Sequence, residues 1–195
     1  MKFPDTLRRR RHDSPLGPMI LAASPTGLAG VWFDGQRHQP DGSAWASADT
    51  ADAVLDAAGR QLEEYFAGRR LMFDLPLDLS GGTAFQQAVW QALLGIAPGT
   101  TTSYGALGRQ IGRASAVRAV GAAVGRNPVS IIVPCHRVMG HGGSLTGYAG
   151  GLHRKQALLT LEGAWPASRV PSPLDSPGLD FGERAIGLAT AGQRA

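Results

Sequence analysis

The sequence predicts an α/β (α+β) protein in two parts: a small mixed N-terminal domain with a β-hairpin/sheet and a helix, then a mainly helical C-terminal domain containing a helix-turn-helix. Three observations carry that fold class. Two short apolar runs, Pro18 to Ala23 and Leu28 to Phe33, flank Ser24-Pro25-Thr26-Gly27, a turn signal between strands. From Thr50 to Ala67, Val54, Leu55, Ala58, Leu62, Tyr65 and Phe66 recur at helical intervals. Between Ser103 and Gly125 two short helical segments, each preceded by a serine, meet at Gly112, the pattern of a helix-turn-helix.

In chain order, the hairpin ends at Asp34-Gly35 and is followed by an irregular polar stretch. The Thr50 to Ala67 helix stops near Gly68, and Leu71 to Leu79, where apolar and acidic residues alternate, predicts a further strand. Ser80-Gly81-Gly82 marks a junction, so residues 1–80 form the supporting domain and 81–165 the second one. Thr83-Ala84-Phe85-Gln86 has the spacing of a capping box, opening a helix whose apolar face is Phe85, Val89, Trp90, Leu93 and Leu94 and which Pro98-Gly99 ends. Ser103 caps Tyr104 to Ile111, and Ser115 caps Ala116 to Gly125. The apolar run Ile131-Ile132-Val133 reads as a strand broken at Pro134. Glycine-rich residues 140–151 lead to a last helix, Leu152 to Leu161, and the Pro-, Ser- and Gly-rich residues 166–195 read as a disordered tail.

Composition narrows the function classes. With 43% hydrophobic and 17% charged residues the chain is globular rather than disordered, and no apolar run approaches the roughly 20 residues that span a bilayer, so no membrane partner is expected. Arg8 to Arg11 resembles the start of a signal peptide, but Pro18 interrupts the apolar stretch behind it and no cleavage pattern follows, which points to a cytoplasmic protein. One cysteine can form no internal disulfide and is too few for a thiolate zinc site, and Gly140 to Gly143 lacks the lysine and serine or threonine of a nucleotide loop, so neither a metal nor a cofactor is expected. The net charge is +4, and its distribution says more than its size. No aspartate or glutamate lies between Asp78 and Glu162, whereas Arg109, Arg113, Arg118, Arg126, Arg137, Arg154 and Lys155 all do. A one-sign segment of this kind predicts an anionic partner, and the phosphate backbone of DNA is the leading one.

That lone thiol, Cys135, sits in Pro134-Cys135-His136-Arg137-Val138. An imidazole and a guanidinium beside a thiol lower its pKa from about 8.5 and favour the reactive thiolate. Free cysteines are also often small buried hydrophobes, and the local sequence leaves both readings open. The helix around Arg118 is small on nearly every side, Ala116-Val117-Arg118-Ala119-Val120-Gly121-Ala122-Ala123. Such a surface suits close approach to another backbone, either a neighbouring helix or DNA.

These motifs resemble those of the O6-alkylguanine-DNA alkyltransferases, the methylated-DNA–protein-cysteine methyltransferases. The resemblance is densest from Phe85 to Gly163. It runs through Arg118-Ala119-Val120-Gly121, Asn127-Pro128, Pro134-Cys135-His136-Arg137-Val138, Leu145-Thr146-Gly147-Tyr148-Ala149-Gly150-Gly151 and Leu158-Leu159-Thr160-Leu161-Glu162-Gly163, and Asp13 to Pro18 is similar to the start of the family's first strand. It implies a single-use DNA-repair enzyme that moves an alkyl group from guanine O6, with O4-alkylthymine a second candidate, irreversibly onto Cys135. His136 then takes the thiol proton through water and Glu162 orients the imidazole. Arg118 fills the gap left by a flipped nucleotide, Ser115, Ala119 and Gly121 belong to the minor-groove surface, and Tyr104 hydrogen-bonds guanine N3. Asn127 ties the helix-turn-helix to the active-site turn. Pro134 and Arg137 support the turn, the Cys135 and Val138 carbonyls and the Ala149 N–H read the base edge, and Tyr148 walls the pocket. Alanine at 149 replaces the serine of many relatives. The implied partner is double-stranded DNA containing O6-alkylguanine, bound by a monomer, with cooperativity on DNA left open. A non-catalytic helix-turn-helix lesion binder or regulator is the competing class, and a cysteine hydrolase using Cys135 and His136 a third.

Overall fold

The computed structural model describes residues 1, 3–48 and 51–165. The tail predicted for 166–195 lies outside the described residues. The arginine run, read in sequence only as a basic tract, is a strand: β1 (Arg8–His12) pairs antiparallel with β2 (Met19–Ser24), which pairs antiparallel with β3 (Gly27–Phe33). A short β4 (Ala46–Ser47) runs parallel to β1, giving the order β3-β2-β1-β4. Charged residues can occupy this strand because residues two apart on a strand share a face and residues four apart on a helix do too. Arg8 and Arg10 meet Asp52 and Asp56 of the adjoining helix, Arg8 Nε lying 2.5 Å from Asp52 and Arg10 pairing directly with Asp56.

That helix, α1 (Ala53–Phe66), starts three residues later than predicted, because the Asp52 carboxylate caps it by accepting from the Val54 and Leu55 amides. It lays Leu55, Ala58, Leu62 and Tyr65 on one sheet face, and the other face covers a second cluster of Leu7, Ala22, Ala29, Trp32 and Trp45. The strand predicted at Leu71 to Leu79 is absent. Leu77 alone bridges Leu28, for Pro76 has no N–H to give a ladder, although its carbonyl accepts from Leu28 N at 2.8 Å.

In the second half α2 (Ala84–Leu94) opens on the predicted Thr83–Gln86 capping box but stops at Gly95, ahead of Pro98-Gly99. Its Trp90 indole donates to the Ala123 carbonyl at 2.9 Å and so fixes α2 against the helix-turn-helix. The latter follows a short β5 (Thr102–Ser103) and consists of α3 (Tyr104–Gln110), capped by the Ser103 hydroxyl, and α4 (Val117–Gly125). Ser115 does not cap α4; the boundary residue is Ala116, no side chain caps the helix, and Ser115 is exposed.

Ile131 to Val133 is not a strand either. Ile131 takes φ +73°, and tight backbone bonds from Ile132 N to Ser130 O and from Cys135 N to Val133 O fold the run into consecutive turns. The edge of β3 holds this segment from outside: Val31 N donates to Pro128 O and Ser130 N donates to Val31 O, both at 2.9 Å. A 3-10 turn over Cys135–Arg137 leads into β6 (Val138–Met139), which pairs parallel with β5, and α5 (Leu152–Leu161) closes the described chain. One buried cluster runs through both halves, from Met19 and Leu62 to Trp90, Val120, Val133 and Leu158.

Candidate active site

Cys135 stands at the start of the 3-10 turn with 5% of its surface exposed. Asn127 holds that turn together. Its Nδ2 donates to Val133 O at 2.7 Å and to Cys135 Sγ at 3.1 Å, while its Oδ1 accepts from Val129 N at 3.0 Å. Burial raises the thiol pKa; the Asn127 bond and the Lys155 charge oppose it without reversing it. The sequence-based expectation of a thiol acidified by His136 and Arg137 is therefore corrected. Arg137 faces the other way, and the resting group is a neutral thiol that needs a base.

His136 and Glu162 are fully buried and 2.9 Å apart, from His136 Nε2 to Glu162 Oε1. Arg137 grips the same carboxylate with Nε at 2.7 Å to Oε2 and Nη2 at 2.8 Å to Oε1, and its Nη1 donates to the Ile96 carbonyl. Burial raises the Glu162 pKa, but the His136 and Arg137 hydrogen bonds outweigh it and bring the value to about 2. Burial also lowers the His136 pKa, with Glu162 opposing, so the imidazole is neutral at pH 7. Opposite an ionised carboxylate, Nε2 must carry the hydrogen. Nδ1 is then the basic nitrogen, and it is buried with no hydrogen-bond partner among the described residues.

Two contributors were invisible in the sequence pattern. Tyr65 of α1, counted there as one more apolar residue, donates its hydroxyl to Glu162 Oε1 at 2.9 Å across 97 positions of chain. The signal was its polar tip, which a buried tyrosine must satisfy somewhere. Lys155, read only as part of the basic interval, is wholly buried and donates to Val138 O and Thr146 O. Burial lowers its pKa to about 8, with the Cys135 thiol opposing.

Tyr104, at the start of α3, donates to Gly147 O at 3.3 Å. Glycine is required at 147, since φ is +55° and a Cβ would stand 2.9 Å from the Tyr104 hydroxyl. A cavity of about 180 Å³ opens there, lined by Tyr104, Gly121, Ala122, Tyr148 and Ala149, with Arg37 and His38 contributed by the N-terminal half. Those two were also missed. They reach the cavity because Arg37 N donates to Ala149 O at 3.1 Å. Pro134, Arg137 and Val138 are buried beneath the turn, and Tyr148 and Ala149 are half-buried at the cavity. Arg118 and Ala119 of α4 are exposed, as is Ser115 ahead of it, while Gly121 is half-buried near the Tyr104 ring. The small-residue surface of α4 thus faces outward around Arg118, as well as inward through Val120, Ala123 and Val124.

A buried Cys-His-Glu set joined to a helix-turn-helix with exposed arginines defines a thiol-bearing DNA-binding protein. Known proteins narrow this. Residues 7–79 match the ribonuclease-like domain, and residues 84–164 the DNA-binding domain, of 6-O-methylguanine DNA methyltransferase. The methylated-DNA–protein-cysteine methyltransferase of Mycobacterium tuberculosis is 48% identical over 165 residues, covering 85% of this chain and 95% of that protein. The Salmonella typhimurium protein of the same name is 55% identical over 161 residues, covering 77% and 92%. The crystal structure of the M. tuberculosis O6-methylguanine methyltransferase superposes with a TM-score of 0.73 at 47% identity, covering 87% of this chain and 98% of that one. The M. tuberculosis OGT in complex with DNA gives 0.71 at 47% identity, covering 83% and 96%. The chain belongs to the 6-O-methylguanine DNA methyltransferase family, whose members repair DNA by alkyl transfer.

Proposed function

We propose that this protein repairs double-stranded DNA by accepting, once per molecule, the alkyl group of an O6-alkylguanine on Cys135 Sγ. His136 Nδ1 takes the thiol proton through a bridging water. Glu162, ionised and locked by Arg137, stabilises the imidazolium that results. The thiolate attacks the alkyl carbon, a C–S bond forms, the C–O6 bond breaks, and its electron pair leaves with the guanine. Tyr104 turns from Gly147 to donate to the base at N3 and offsets that charge. A thioether cannot be reset by water, so each molecule reacts once.

The base must leave the stack to reach so buried a thiol, at a cost of a few kcal/mol. Arg118 fills the space it vacates, the small residues Ala119 and Gly121 let α4 approach the minor groove, and Ser115 contacts the backbone beside them. The Cys135 and Val138 carbonyls and the Ala149 N–H read the guanine edge, with Tyr148 as the wall. The protein acts as a monomer.

The observation that carries this reading is the lone nitrogen: a buried His136 Nδ1 left basic by Glu162, next in sequence to a thiol that burial keeps protonated. Intact-protein and peptide mass spectrometry after incubation with duplex DNA containing O6-methylguanine tests it. One methyl on the peptide bearing Cys135, stoichiometric and without turnover, is expected. No addition, or addition at another residue, overturns it.

A further inference from the structure

We propose that Tyr65, supplied by the N-terminal half, is a positioning residue of the alkyl-transfer site, which orients Glu162 toward His136 and carries part of its negative charge. This rests on the alkyl transfer to Cys135 proposed above.

Glu162 Oε1 accepts from three donors, Tyr65 Oη, His136 Nε2 and Arg137 Nη2, and Oε2 accepts from Arg137 Nε. Arg137 holds the carboxylate from one side as a fork, which fixes its plane but leaves Oε1 shared. The Tyr65 ring is fully buried, edge-on to Phe66 and tilted against Phe73, so its hydroxyl cannot swing to another partner without disturbing α1. Burial, then the Glu162 charge, push the phenol pKa well above its ordinary value. Tyr65 is therefore a permanent neutral donor, unable to compete with Glu162 for the proton in transit.

That neutrality has a chemical consequence. While His136 is an imidazolium, a carboxylate with a bare lone pair on Oε1 attracts the Nε2 proton more strongly and makes the imidazole a stronger base. A fixed hydroxyl on the same oxygen moderates that pull. His136 then stays neutral at the pH where it must receive a proton, and the proton it receives stays on the ring. The other charged groups facing the pair are Arg137 in the same turn and Lys155 from α5, both of which favour the neutral imidazole, with the Cys135 thiol beside them and the Tyr148 phenol near Tyr65. Only Tyr65 among these comes from the N-terminal half, so the sheet-and-helix unit enters the proton relay through one hydroxyl.

The test is the pH dependence of single-turnover methyl transfer from O6-methylguanine DNA, using full-length protein with Tyr65→Phe and with 3,5-difluorotyrosine installed at 65. Tyr65→Phe keeps the packing and removes the donor. Its acid limb is expected to move up by about half a unit to one unit, because a bond to a charged group is lost. Difluorotyrosine, a stronger donor, is expected to move the limb the other way. The His136 ring pKa, followed by nitrogen NMR, should shift in the same directions with no DNA present. A uniform slowing at every pH with an unshifted limb and an unshifted His136 overturns the proposal and leaves Tyr65 a packing residue. Failure of wild-type protein to methylate Cys135 overturns the alkyl-transfer reading instead, and the NMR result still decides whether Tyr65 tunes His136.

Discussion

The two halves of the molecule handle charge in opposite ways. In the N-terminal half acids and bases pair where water reaches them, Arg10 with Asp56 and Arg70 with Glu64, and only the Asp52 partner of Arg8 is mostly covered. In the C-terminal half acids vanish for more than eighty positions until Glu162, and that carboxylate is buried among three proton-bearing partners, Tyr65, His136 and Arg137. Water screens the first kind of pair and leaves it little energetic consequence. The second kind is unscreened, so it governs both stability and protonation of the site. Charge serves as a soluble coat in one half. In the other it is an instrument, pointed outward at a partner as arginine and inward at a histidine as glutamate.

The strongest way to break this contrast is at the thiol. Cys135→Ser is expected to abolish methyl uptake completely, read by mass spectrometry, with a circular dichroism spectrum and Tm close to wild type, since the site's charges remain paired. Glu162→Gln comes next. It leaves Arg137 buried without its counter-charge and is expected to cost about 3–5 kcal/mol in urea unfolding. Arg70→Ala, across the half-exposed pair, should move the same curve by less than about 1 kcal/mol. Equal losses for both would erase the difference between the halves.

The pH dependence of stability sharpens the same point. Glu162 has a folded pKa of about 2, below its unfolded value of 4.5, so its contribution is complete above pH 4.5 and is lost as pH falls toward 2. His136, also lowered, binds its proton more readily when unfolded, so acidification below its ordinary 6.5 is destabilising by the same sign. Denaturation midpoints should therefore fall from pH 6.5 downward, and Glu162→Gln should flatten the part below 4.5.

The outward charges give the smallest effects. Arg118→Ala is expected to slow repair in duplex DNA on the order of tenfold, about 1.4 kcal/mol and so a part of a flipping cost of a few kcal/mol, and to spare reaction with free O6-benzylguanine. Equal losses on both substrates would remove Arg118 from flipping. If an arginine of this surface contacts a single phosphate, its removal lowers the salt slope of DNA binding by about one, measurable by fluorescence anisotropy.

How far the sequence reached depended on the range of the forces involved. The Thr83–Gln86 capping box, the Ser103 cap, the hairpin and the five helical segments are set by contacts within a few residues, and the structure has each of them. The strands read at 71–79 and 131–133 failed for a shared reason: apolar runs say that a segment is buried, not that it pairs. Pro76 withholds a donor from the first, and in the second Ile131 takes a positive φ while Asn127 captures the Val133 carbonyl. The β1 arginines were missed because what makes them acceptable in a strand is the acid spacing of a helix more than forty residues away.

By itself the sequence determined that one thiol followed by histidine lies in an acid-free, arginine-bearing segment beside a helix-turn-helix, because those properties are written in adjacent letters. Only the tertiary structure decided what state that thiol is in. Burial raises it, Arg137 turns from it to Glu162, and His136 keeps a basic Nδ1 because a carboxylate 26 residues on claims its other nitrogen. Protonation depends on distance and dielectric, and neither exists until Tyr65, His136 and Glu162 are folded into contact.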